Sequence, residues 1–138
     1  MVPSRALIAV LAACSTIPIA ACARSTSAGD AERGRRAFIE YKCTTCHDVV
    51  GEKLPPASVT PAVTLGGRVL LPPSEEKLTS DITLPSSHFA VGYPSEQIMK
   101  DGKSRMPDYS KALKGEQVAD LVAYLRTRYK QGLPSATQ

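Results

Sequence analysis

The stretch YKCTTCHDVV, residues 41–50, places two of the chain's four cysteines and one of its two histidines within five positions. Cys43, Cys46 and His47 are side chains that pair in disulfides, ligate metals or attach cofactors, so compartment and surroundings decide among these uses.

The N-terminus speaks to compartment. Arg5 precedes an apolar run from Ala6 to Ala13 and a weaker one from Ile17 to Ala23, interrupted by Cys14, Ser15, Thr16 and Pro18. A charged start, a short apolar stretch and small residues after it read as a secretory signal. An uncleaved spanning helix would want about 20 unbroken apolar residues, which this run does not supply. Ile19-Ala20-Ala21-Cys22 is similar to a bacterial lipobox, as is Leu11-Ala12-Ala13-Cys14, while Ala21-Cys22-Ala23 also fits a small-x-small cleavage site. On the lipobox reading, Cys22 is the lipidated first residue of a periplasmic protein and gives it a membrane attachment. On the other, Cys14 and Cys22 are small apolar residues of the signal. The expected organisation is a signal at 1–22, a polar tether at 23–29, one domain at 30–131 and a flexible tail at 132–138.

The mature chain is the size of one domain. It has no Trp, and aromatics make up 5% of the sequence, so a bulky prosthetic group would supply apolar volume that the side chains lack.

With the signal removed, Cys43 and Cys46 remain. A structural zinc site needs four ligands, and Cys43, Cys46, His47 and His88 include two that are adjacent. A thioredoxin-like pair needs alternating strands and helices, which the pattern does not show. The histidine directly after the second cysteine decides the matter, because C-x-x-C-H is the attachment motif of c-type haem. Two cysteines three apart can reach the two vinyl groups on one edge of the porphyrin, and the next residue is brought under the iron as a ligand.

A second ligand would be Met106, Met99 or His88. Met106 lies in Gly102-Lys103-Ser104-Arg105-Met106-Pro107-Asp108-Tyr109, a glycine- and proline-marked loop that can hold a thioether rigidly. Met99 follows Ile98 in an expected short helix and reads as space-filling. His88 reads as a surface histidine.

Three blocks then carry a family resemblance: a helix from Asp30 to about Lys42 running into the haem motif, the Met106 loop, and Gly115-Glu116-Gln117-Val118-Ala119-Asp120-Leu121-Val122-Ala123-Tyr124-Leu125-Arg126. In order and spacing the chain resembles a class I, mitochondrial-type monohaem c cytochrome of the bacterial periplasm, over roughly residues 29–129. The resemblance implies an all-α cytochrome c fold in which the first and last helices cross and short helices and loops wrap one covalent haem c. It also implies that a proline carbonyl accepts a hydrogen bond from the proximal histidine. The segment Thr60-Pro61-Ala62-Val63-Thr64-Leu65-Gly66-Gly67-Arg68 assigns that role to Pro61, with Pro55 and Pro56 as alternatives. Thr60 stands where the family usually shows glycine.

The residues support the same helices. Asp30 is a good N-cap, and Gly34, Phe38 and Tyr41 share one helical face, as do Val118, Leu121, Val122 and Leu125. Gly34 beside Phe38 suits the close approach of another backbone. Arg126, Arg128 and Lys130 suit the negative end of the last helix. Lys114-Gly115 offers no side-chain acceptor, so the first turn of that helix is expected to fray. Between His47 and Met106 the many prolines predict loops, interrupted by one helix opened by Pro73-Ser74-Glu75-Glu76, with Leu78 and Ile82 on one face. A second, opened by Pro94-Ser95-Glu96, is expected to stop at Gly102.

An iron held by His47 and Met106 has no open position, so the expected function is one-electron transfer and not catalysis. If Met106 is not bound, the same fold offers an iron for a small gas or peroxide. The formal net charge is +4, and Lys100, Lys103, Arg105, Lys111 and Lys114 cluster around the Met106 loop against Asp101 and Asp108. Such a rim suits redox partners with an acidic docking face. Nucleic acid is not expected, since no aromatic-basic motif is present. The chain is expected to act as a monomeric shuttle or as the fixed cytochrome subunit of a periplasmic dehydrogenase, and a large apolar patch near the haem would favour the second.

Overall fold

The computed structural model describes residues 28–60 and 62–133. The expectations for the signal, for Cys14 and Cys22, and for Pro61 lie outside the described residues.

Two helices form the frame. Helix α1 (Ala31–Glu40) begins where the Asp30 carboxylate accepts the backbone N–H of Arg33 at 2.7 Å. Helix α4 (Gly115–Arg126), the last helix among the described residues, crosses α1. Their contact is backbone against backbone at one point, because a Cβ on Gly34 would lie 1.9 Å from the carbonyl oxygen of Asp120. Gly29, placed with the tether by sequence, also packs here, against Ala119. Around the crossing Phe38, Leu121, Val122, Tyr124 and Leu125 are buried. Burying each such side chain fully stabilises the fold by about 1.5–3 kcal/mol.

The expected fraying at Lys114 does not occur. The side chain of Gln117, three residues into the helix, accepts the Lys114 backbone N–H at 2.8 Å, the reverse half of a capping box. The amide of Gln117 then donates to the Tyr41 hydroxyl at 2.8 Å, tying the start of α4 to the end of α1. The basic residues after α4 do more than meet its dipole: Arg126 pairs with Glu75, and Arg128 joins Arg35 on Glu52.

Helix α2 (Glu75–Thr83) starts at Ser74, whose hydroxyl accepts the Lys77 N–H, and buries Leu78 and Ile82. It ends before Pro85. Helix α3 (Ser95–Ile98) is a single turn. It stops before Gly102 because Asp101 and Gly102 both take positive φ, 51° and 74°, and form a hairpin turn. The flanking β4 (Met99–Lys100) and β5 (Lys103–Ser104) pair antiparallel, so Met99 is strand and not helix.

The helical architecture agrees with expectation, and short parallel ladders tie its loops together. β1 (His47–Val49) pairs with β2 (Val63–Leu65), and β3 (Gly67–Val69) pairs with β6 (Tyr129–Gln131). Gly66 and Gly67, both at φ 89°, turn the chain between β2 and β3, with the Gly67 N–H donating to the Arg128 carbonyl at 2.9 Å.

Candidate functional site

After α1 the backbone turns sharply at Lys42, which adopts the left-handed region at φ 57°, and enters a 3₁₀ turn at Cys43–Thr45. The turn closes through Cys46 N–H to the Cys43 carbonyl at 3.2 Å, and the Thr45 carbonyl accepts the N–H groups of Ser58 and Val59. This geometry sets Cys43, Cys46 and His47 on the wall of one largely apolar cavity of about 760 Å³. Phe38, Leu121 and Leu125 line it from the helix crossing, and Leu78 and Ile82 from α2. No disulfide joins the two cysteines, and burial pushes the Cys43 thiol up to about 11.

The Nδ1 of His47 is 3.1 Å from the Val63 carbonyl. A carbonyl only accepts, so Nδ1 carries the proton and Nε2 keeps its lone pair for a metal. Burial lowers the pKa of this ring, with the Val63 contact opposing, so the imidazole stays neutral as ligation requires. The β1–β2 register sets His47 opposite Val63, so the ladder itself delivers this carbonyl. The family resemblance implies a proline carbonyl in this role, and Pro61, to which it assigns the role, lies outside the described residues.

Met106 lines the same cavity, half-buried, whereas Met99 is not among its lining residues. The Met106 loop is held on both sides. Before it, the Arg105 guanidinium donates through Nε toward the Glu96 and Met99 carbonyls at 3.1 and 3.2 Å, and the Arg105 N–H reaches the Ile98 carbonyl at 2.9 Å. After it, the Tyr109 hydroxyl donates to the Tyr41 carbonyl at 3.3 Å, and the two tyrosine rings meet edge to face at 6.5 Å. His88, which reads as an ordinary surface residue, also lines the cavity, beside Asp81. The fold therefore brings Cys43, Cys46, His47 and Met106 to one cavity, together with His88, weighed from sequence as an alternative second ligand, and with Val63 and Tyr109, which sequence did not single out.

The cavity volume lies within the roughly 300–1,000 Å³ of cofactor sites, and its donors are two thiols, a neutral imidazole and a thioether in apolar surroundings. That set fits a covalently tethered haem. Residues 31–128 match the family model for cytochrome c, and the chain belongs to the cytochrome c family. Comparison with curated proteins and with solved structures gives no significant match. Cytochromes c bind haem c through cysteine thioethers and transfer electrons, and Cys43 and Cys46 are the attachment cysteines here.

Proposed function

We propose that this protein is a class I, monohaem one-electron carrier of the bacterial periplasm, with His47 and Met106 as the axial ligands of its iron. The observation that carries the ligand pair is the shared cavity: Met106 faces the space that Cys43, Cys46 and His47 line, and Met99 does not. When bound, haem c supplies the one-electron couple, with methionine ligation raising its potential. The chain's own residues do the rest. Cys43 and Cys46 anchor the cofactor, Val63 fixes the His47 tautomer, and Phe38, Leu121 and Leu125 exclude water. The clamps at Arg105 and Tyr109 hold the Met106 thioether in place, so that little moves when the charge changes.

Export and lipidation at Cys22 complete the reading, resting on the lipobox-like Ile19-Ala20-Ala21-Cys22. The exposed Lys100, Lys103, Arg105, Lys111 and Lys114 suit a partner with an acidic face, met in brief encounters. A second reading, a fixed subunit of a dehydrogenase, is favoured by an apolar rim: Val59, Phe89 and Val91 line the cavity yet are 42%, 37% and 95% exposed.

The test is the optical spectrum of the haem-loaded protein in both oxidation states. A weak long-wavelength sulfur-to-iron band in the ferric state, absent in Met106→Ala, supports the His/Met carrier. A high-spin spectrum with ready carbon monoxide binding in the wild type overturns it in favour of an open iron. Co-purification separates shuttle from subunit, and intact mass reports lipidation of Cys22.

A further inference from the structure

We propose that Tyr93 is a positioning residue for His47, acting through the peptide bond between Val63 and Thr64. The inference rests on His47 being a ligand of the iron, the reading given above.

The peptide that serves His47 is held at both ends. Its carbonyl oxygen, on Val63, accepts from His47 Nδ1 at 3.1 Å, and its N–H, on Thr64, donates to the Tyr93 hydroxyl at 2.9 Å. The two groups belong to one planar amide, so fixing the N–H fixes the direction in which the carbonyl points. The β1–β2 ladder leaves this N–H free. Val63 donates to the Cys46 carbonyl, and the Leu65 carbonyl accepts from Val50, so these two residues face β1. Thr64, between them, turns its N–H to the opposite edge of β2, where no strand pairs with it among the described residues. Tyr93 takes that donor in place of a strand.

Tyr93 is itself pinned. Gly92 before it turns at φ 89°, and Pro94 after it restricts it to extended backbone. Pro94 leads into α3, where the carbonyls of Glu96 and Ile98 hold Arg105. The hydroxyl therefore reaches β2 from the element that supports Met106. Tyr93 is not among the residues that line the cavity, so its route to the histidine is this peptide.

The chemical consequence has a definite direction. An amide whose N–H is engaged is a stronger acceptor at its oxygen, because hydrogen bonds in a chain polarise one another. A stronger acceptor draws on the Nδ1 proton and leaves more electron density at Nε2. Nε2 then donates better to a bound iron, which favours the oxidised state. The Tyr93 hydroxyl thus lowers the potential and protects the Nδ1 proton, with no change of protonation anywhere.

The experiment is Tyr93→Phe in the haem-loaded protein, which keeps the ring and removes the acceptor. We expect the His47 Nδ1 proton, followed by nuclear magnetic resonance, to exchange with solvent faster, and the potential to rise. A strengthening of roughly 10–30% in one hydrogen bond amounts to a factor of about two between oxidation states, or about 18 mV for a one-electron couple. Introduced into Met106→Ala, where the ferrous iron has no methionine, Tyr93→Phe should lower the iron–histidine stretching frequency in the resonance Raman spectrum. An unchanged frequency and exchange rate overturn the proposal even where the variant melts earlier, because a mere loop tie would move stability and neither signal. Loss of the sulfur-to-iron band in Tyr93→Phe also overturns it, since the hydroxyl would then act on Met106 through α3. Failure of the His/Met reading shows itself separately, as a wild type without that band, and leaves the frequency comparison in place.

Discussion

The Asp120 carboxylate on α4 lies in the fork of the Arg33 guanidinium on α1, with Nε to Oδ2 at 2.8 Å and Nη2 to Oδ1 at 2.9 Å. The backbone N–H of Asp30 adds a third donor to Oδ1 at 2.7 Å, and Asp120 itself is only 5% exposed. A single carboxylate on the last helix thus fixes both the side chain and the starting residue of the first.

The pairing with Arg33 holds the Asp120 pKa below the usual carboxylate range, against the opposing effect of burial. A group with a lowered folded-state pKa contributes stability that is complete above its unfolded value, near 4, and lost as pH falls through the folded value. Asp120→Asn should lower the melting temperature at pH 7 and flatten its decline below about pH 4. Thermal unfolding across an acid series checks both; a parallel decline in wild type and variant would exclude Asp120 as a source of acid sensitivity.

Gly34 admits no side chain, since its Cβ would also come within 2.7 Å of the Tyr124 Cβ. Gly34→Ala must push the crossing helices apart, and we expect a loss near the upper end of the roughly 1–3 kcal/mol typical of overpacked cores. Denaturant titration measures it. A loss smaller than the few tenths that an exposed substitution costs would mean that the helices do not meet there.

Met106→Ala should abolish the sulfur-to-iron band and let carbon monoxide bind the reduced protein, whereas Met99→Leu should leave the spectrum unchanged. Loss of the band in the Met99 variant instead would move the ligand to the hairpin.

Gln117→Ala removes both the cap on Lys114 N–H and the donor to the Tyr41 hydroxyl. We expect about 1 kcal/mol of destabilisation, as for other helix caps. Tyr41→Phe removes the tyrosine contact while keeping the cap, so the two variants apportion the effect.

Much of this was legible in the chain. C-x-x-C-H at 43–47 is a local signal with specific chemistry; apolar spacing marked the helical faces around Gly34 and Phe38, and the crossing of α1 and α4 was implied by the family resemblance. What stayed hidden depended on distant partners. The pairing of His47 with Val63 arises from two strands of three residues each, too short to show a period, so the carbonyl that orients the histidine could not be chosen from sequence. His88 sits among prolines and serines and gained its place on the cavity from the path of a loop. The cap of α4 has a sequence signal in Gln117, which stands at the third helical position where capping boxes carry their second residue. The second short helix, expected to stop at Gly102, ends at Ile98 because the Asp101-Gly102 hairpin turn commits the preceding residues to a strand.

The two glycines at 66 and 67 join a strand paired with the one that starts at His47 to a strand paired with β6. Residues 63–69 therefore work as a strap, buckled to His47 on one side and to Tyr129 on the other. Such a strap cannot be tightened until the last helix has been synthesised and has brought Tyr129 into place. The part of the cavity wall that Val63 and Leu65 supply is thus positioned from both sides, by the strand that starts at His47 and by the segment that follows the last helix.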